Sequence, residues 1–238
     1  MNTRTIFVSV LTLLVLLAAI SVVAFFFGTS TPNADALSVP LASDFVSSRP
    51  EVDALPSQTI DESEHAALLY MREEEKLARD VYMTLYGVWK IPVFSNIAQS
   101  EETHTEAVRD LLVKYHITDP VTDDTVGVFK DSTLAKLYTD LTTKGTASAV
   151  EALTVGAIIE DLDIRDLETR IAQTDNQDIQ LVYENLMRGS RNHMRSFVSQ
   201  LESRGGTYAP EYISASEYES IISTPRETGN GAGRGWGK

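Results

Sequence analysis

Along residues 61–88 the apolar positions recur in steps of three and four. Leu68, Met71, Ala78, Tyr82 and Leu85 share one face, with Glu75 set among them. That spacing predicts an α-helix from Asp61 to Val88, because residues three and four apart lie above one another on a helix. Asp61 or Ser63 serves as its cap, with acidic residues in the first turn. A second helix is expected from Val93, just after Pro92, to His116. A third is expected from Ala147 to Gln173, with a seam of Leu153, Gly156 or Ala157, Glu160, Ile164, Leu167 and Ile171. A fourth is expected from Asn176 to Arg204, capped by Asp175 and stopped by Gly205 and Gly206. Each is about 24–29 residues long, far above the usual mean, and long matched helices point to a four-helix bundle.

The connections set the expected topology. Only a few residues separate the first helix from the second, and the third from the fourth, so each pair reads as an antiparallel hairpin. Some thirty residues lie between the hairpins, including a short helix near Ser132–Thr143, enough to travel the bundle's length. Two hairpins with one long crossover is the ferritin-like arrangement.

The ends of the chain differ from this middle. Residues 6–27, "IFVSVLTLLVLLAAISVVAFFF", are an uncharged apolar run long enough, at about 1.5 Å per residue, to cross a bilayer. Arg4 precedes it, and the small-residue stretch "ADA" at 34–36 offers a cleavage site. A retained anchor and a cleaved signal segment both remain open, and both put the rest of the chain outside the cytoplasm, secreted in the second case. The expected organisation is a transmembrane or signal segment over 1–28 and a flexible linker over 29–60. A ferritin-like four-helix domain over 61–207 follows, then a C-terminal extension over 208–238 with a Gly-rich disordered tail.

Composition narrows the chemistry. The chain has 238 residues, is 43% hydrophobic and carries a net charge of −14. That balance argues against nucleic acid as a partner, which needs a basic footprint. There is no cysteine, so disulfides, thiolate metal sites and cysteine nucleophiles are excluded, and any metal must be held by oxygen and imidazole.

Within the helical pattern Glu75 and Glu160 occupy seam positions, where an unpaired carboxylate is costly to bury. Glu101 and His104 stand three residues apart, a spacing that puts carboxylate and imidazole on one helix face. Counted from the two turns, Glu75, Glu101, His104, Glu160 and His193 come to nearly the same height. Hard oxygen with imidazole suits iron or manganese, in one or two ions, with zinc as a third option. Competing readings are a solvated helix face for the glutamates and a carbonyl-bonded core histidine for His193. Glu74 is the rival to Glu75. Tyr82 and Tyr183 fall near the same level, as core residues or as hydrogen-bond partners of a ligand.

The segments "EEEKLARDVY" (73–82), "SEETH" (100–104), "GAIIEDLDIRDL" (156–167) and "NLMRGSRNHMRSF" (185–197) resemble the metal helices of rubrerythrin-like members of the ferritin-like superfamily. Residues 65–204 more narrowly resemble an uncharacterised ferritin-like domain family of archaea and bacteria. The resemblance implies Glu75, Glu101, His104, Glu160 and His193 as ligands. It departs at "SRNH", where Ser190 stands in the place of a glutamate, and Asp163, one turn beyond Glu160, is the candidate substitute. It further implies a metal-dependent oxidase or peroxidase reacting with oxygen or peroxide and drawing on an external electron donor. The alternatives are metal sequestration or sensing, or a metal-free interaction module. Expected partners are metal ions and the membrane through residues 6–27, with a homodimer left open.

Overall fold

The computed structural model describes residues 49–228, and every regular element among them is an α-helix. They are α1 (Arg49–Ala54), α2 (Glu62–Trp89), α3 (Pro92–Lys114), α4 (Ser132–Gly145), α5 (Ala149–Gln173), α6 (Gln177–Glu202) and α7 (Ala215–Ser223). The expected anchor or signal helix over 6–27 lies outside the described residues, as do residues 229–238 of the Gly-rich tail. Among the described residues no helix is long and apolar enough to cross a membrane.

Local chemistry explains the four long helices. α2 starts at a reciprocal cap: the Glu64 amide donates to Asp61 Oδ1 at 2.8 Å, and the Asp61 amide donates to Glu64 Oε2 at 2.9 Å. Such a pair satisfies two of the amides a helix start leaves unpaired. Lys90 ends α2 in a left-handed conformation, φ 54°, and Pro92 begins α3, so the chain reverses within two residues. Ser148 caps α5 through its hydroxyl. The cap of α6 is Asn176, not the expected Asp175, and its side chain makes no capping bond. Its amide Nδ2 instead donates to Glu64 Oε1 at 2.9 Å, tying the α5–α6 turn to the start of α2.

Contacts fix the directions. Between α2 and α3, Arg72 meets Thr105, Glu75 meets His104 and Arg79 meets Glu102. Between α5 and α6, Glu160 meets His193 and Asp163 meets Ser190. As one number rises the other falls, so both pairs are antiparallel. The same holds between the pairs: the start of α2 meets Thr174 just past α5 through Glu64 while Tyr82 meets Gly156, and on α3 and α6 Glu101 meets His193 while Lys114 meets Asp178.

The expected face of α2 is buried throughout, at Leu68, Met71, Glu75, Ala78, Tyr82 and Leu85. Its opposite face is buried as well, so that every residue from Met71 to Tyr82 is covered. The crossover does this. Glu73 accepts from the Lys130 and Asp131 amides, and Asp80 from the Gly127 amide at 2.9 Å. Lys76, fully buried, bonds Asp80 and the Thr125 carbonyl, and Arg79 pairs with Asp124 at 2.7 Å. Buried charges survive only when paired, so these contacts clamp the crossover to α2.

Part of the expected linker and the start of the expected extension are packed where described. Part of the 29–60 linker forms α1, which seats Val52 against the core, and Lys114 donates to the Val52 and Leu55 carbonyls. The start of the 208–238 extension is pinned by Asp161. That buried carboxylate accepts from the Tyr208 hydroxyl and from the amides of Glu211, Tyr212 and Ile213, at 2.5–3.0 Å.

Candidate metal centre

Midway along α2, α3, α5 and α6 a set of acidic and imidazole side chains meets in the interior. Glu75, Glu101, His104, Glu160 and His193 are each no more than 2% exposed. Glu101 lies at the centre. Its Oε2 is 2.8 Å from His104 Nδ1, and its Oε1 is 2.8 Å from His193 Nδ1. Glu75 Oε2 is 3.3 Å from His104 Nδ1 on one side, and Glu160 Oε2 is 3.5 Å from His193 Nδ1 on the other. The two imidazoles stack with centroids 5.4 Å apart. Two triads result, Glu75–Glu101–His104 and Glu101–Glu160–His193, each with one ligand atom per residue lying within 4.8 Å of the others. Glu101 belongs to both.

Surrounding groups orient these side chains. His193 Nε2 lies 3.0 Å from Ser100 Oγ. In the tautomer that donates to Ser100, the Nδ1 lone pair faces the glutamates, as a metal-binding imidazole requires. His193 Nδ1 is close to Glu101 yet outside hydrogen-bond geometry, and Glu75 Oε1 has no hydrogen-bond partner among the described residues. Atoms arranged like this converge on a shared space rather than on each other. The Tyr82 hydroxyl donates to Glu160 Oε1 at 2.5 Å.

The electrostatics follow from burial and proximity. Burial would raise the Glu101 carboxyl, but the flanking His104 and His193 outweigh it and hold Glu101 well below the usual carboxylate range. Burial pushes Glu75 up to about 7, against the pull of His104. Burial likewise raises Glu160, partly offset by His193. Burial alone would depress His193, but Glu101 and Glu160 lift it to about 9. His104 rises in the same way beside Glu101 and Glu75. A cation held here would replace those imidazole protons, since only neutral histidine and ionised carboxylate act as ligands.

Every expected ligand except Asp163 lies in the two triads. Asp163 is buried alongside, where its Oδ2 accepts from the Ser190 hydroxyl. Ser190 therefore holds the carboxylate of the neighbouring helix, and the Leu186 carbonyl, 3.0 Å from its Oγ, is the alternative acceptor for its one proton. Glu74, the rival for the α2 position, is buried on another side and joins neither triad. Glu102, next to Glu101, is half exposed and pairs with Arg79. Tyr183 is buried with no hydrogen-bond partner for its hydroxyl among the described residues. Sequence reasoning missed Ser100 and Gly189. A Cβ on Gly189 would lie 2.6 Å from His104 Nε2. The mid-helix glycine beside Ser190 was the available signal, since glycine inside a helix usually marks a close approach. Nothing in the spacing of Ser100 pointed to His193 on another helix.

Fold and site together define an all-helical domain whose paired helices enclose a buried carboxylate–imidazole cluster. Residues 64–225 match the family described as an uncharacterized protein domain, DUF2202, and the chain belongs to that family. The uncharacterized protein MJ0754 of Methanocaldococcus jannaschii is 58% identical over 178 residues, covering 75% of this chain and 96% of the relative. The crystal structure of hypothetical protein MJ0754 from Methanococcus jannaschii DSM 2661 is similar with a TM-score of 0.72 at 59% identity. That match covers 73% of this chain and 99% of the other.

Proposed function

We propose that the domain is a ferritin-like four-helix bundle that holds two iron or manganese ions and presents them to oxygen or peroxide. The observation that carries this reading is Glu101, whose two oxygens each face a different imidazole, with a terminal glutamate beyond each. Glu75, Glu101 and His104 would hold one ion, and Glu101, Glu160 and His193 a second. An all-oxygen and imidazole donor set suits iron or manganese, and zinc less specifically. Once bound, such a pair supplies electrons and Lewis acidity to an oxygen species.

The chain's own residues define the rest of the site. Ser100 and Tyr82 hold His193 and Glu160 in orientation. The apolar and aromatic packing of Tyr82, Phe94 and Phe197 keeps water from one end. These 238 residues contain no cysteine, so a reaction with oxygen or peroxide would draw its electrons from a donor outside them. We further propose that residues 6–27 tether it to the membrane with the domain outside the cytoplasm.

A non-catalytic reading, metal sequestration or sensing, draws on Ser190, which stands where the resemblance implies a second shared glutamate. Two measurements separate the readings. Metal-stripped full-length protein is reconstituted with Fe2+ or Mn2+ and its content is measured by elemental analysis. About two equivalents per chain are expected, and less than about a tenth of an equivalent in folded protein overturns metal binding. Peroxide consumption by the loaded protein is then compared with that of Glu160→Ala. Equal rates leave sequestration or sensing as the function.

A further inference from the structure

After α6 ends, the chain returns to the bundle and touches both helices of the second hairpin. On α5 it meets Asp161, which accepts from the Tyr208 hydroxyl and the Glu211, Tyr212 and Ile213 amides. One turn further along α5, the Arg165 guanidinium lies 5.4 Å over the Tyr212 ring. α7 then packs Tyr218 and Ile221 into the core. Beyond it the chain crosses α6. Arg195 Nε donates to the Ile221 and Thr224 carbonyls, at 2.8 and 3.1 Å. Arg191 grips the Glu227 carboxylate with two nitrogens, at 2.8 and 2.5 Å, and Arg195 adds a third contact at 3.1 Å. Asn192 binds the main chain of the same residue: its Nδ2 donates to the Glu227 carbonyl and its Oδ1 accepts from the Glu227 amide, each at 2.9 Å. Chain ends fray unless tied down, and a two-pronged arginine fixes a carboxylate in direction as well as place.

These fastenings fall on two particular turns. Asp161 follows Glu160 on α5, and Asn192 precedes His193 on α6. Glu160 and His193 point inward, with Oε2 and Nδ1 3.5 Å apart, while their neighbours in sequence hold the extension. The interior between these turns contains Glu160, Asp163, Ser190 and His193 in place of apolar side chains. The hydrophobic contribution that joins helices elsewhere is reduced there, so a fastening from outside matters more. We infer that residues 205–228 are a clasp binding α5 to α6 at the level of the second triad, with Glu227 as its catch. Glu227 and Asn192 are positioning residues. They hold the outer side of the turn whose inner side carries His193. The bonds named above reach neither α2 nor α3, which supply the whole of the first triad.

The placing of His193 rests on the metal centre proposed above, whereas the clasp itself does not, and two experiments keep them apart. Hydrogen exchange is followed by mass spectrometry in metal-free full-length wild type, Glu227→Ala and Asn192→Ala. Both variants are expected to exchange residues 158–164 and 189–196 at least about tenfold faster, with α2 and α3 unchanged. The double variant should be no faster than the faster single one, because both substitutions open one catch. Mn2+ binding is then measured by calorimetry. In each variant one ion is expected to keep its wild-type affinity while the other binds at least about tenfold more weakly. Exchange equal to wild type overturns the clasp and leaves the interior contacts alone to hold α5 against α6. Equal weakening of both ions overturns the positioning of His193, since the loss is then a general loosening of the fold, and unchanged binding of both overturns it as well. If the wild type binds no Mn2+, the metal centre falls and the exchange rates alone decide the clasp.

Discussion

The Cβ that Gly189 lacks would stand 2.6 Å from Nε2 of His104, so α6 passes the α3 imidazole with room for a backbone and nothing more. Alanine is the better helix former by about 1 kcal/mol. Here its methyl group meets a ring held by Glu101 and Glu75, and overpacking of this kind costs about 1–3 kcal/mol. Gly189→Ala is expected to lower the melting temperature slightly and to weaken Mn2+ binding at least about tenfold through the displaced His104. Unchanged Mn2+ affinity, measured by calorimetry, would show that His104 is not a ligand.

Ser190→Ala removes the hydroxyl that donates to Asp163 Oδ2. A buried carboxylate oxygen then loses its partner, at a cost of about 1–3 kcal/mol. The denaturation midpoint of the metal-free protein should fall accordingly. Ser190→Glu places a carboxylate beside Asp163, and its loss of stability without metal should be recovered by added Mn2+. If Mn2+ restores nothing, position 190 does not face the ions.

Metal-free protein should lose stability as pH rises from about 5 to about 9. Glu75 keeps its proton up to about 7 in the folded state, against an ordinary value of 4.5, so ionising it opposes folding across that interval. His193 keeps its proton to about 9 instead of 6.5, so its favourable charge is present below 6.5 and is lost as pH climbs through 9. Glu101 acts oppositely, but its loss of stability falls at acid pH, below this window. Saturating Mn2+ should reverse the slope, because ligation releases these same protons. Melting curves at several pH values with chelator and with Mn2+ check both signs, and parallel curves would refute the linkage.

Asp161→Ala strips four donors of their acceptor: the Tyr208 hydroxyl and three successive amides. The expected loss is roughly 2–4 kcal/mol, with faster protease cleavage between α6 and α7. Mass spectrometry of the fragments would locate the cut. Protection equal to wild type would mean that α7 alone holds this segment.

Most of the helical architecture and the members of both triads were readable from periodicity and height. Helical spacing is local, and it put Glu75, Glu101, His104, Glu160 and His193 on inward faces at one level. What could not be read depended on contacts distant in sequence. The second buried face of α2 comes from a crossover some fifty residues away, so helical spacing within α2 gave no sign that Lys76 and Asp80 are covered. Asp175 looked like a cap until Asn176 was seen to turn its amide toward Glu64. Ser190 looked like a missing ligand, because the hydroxyl's partner lies on α5 and not in its own motif.

The two triads differ in where their members come from. Glu75, Glu101 and His104 all belong to α2 and α3, whereas Glu101, Glu160 and His193 draw on α3, α5 and α6. The first triad is therefore complete as soon as the first hairpin has closed, and the second exists only after the second hairpin has docked. An ion held by the first would stiffen a half-molecule. An ion held by the second would cross-link the halves, and its removal would let the hairpins part along the seam where Glu101 meets His193.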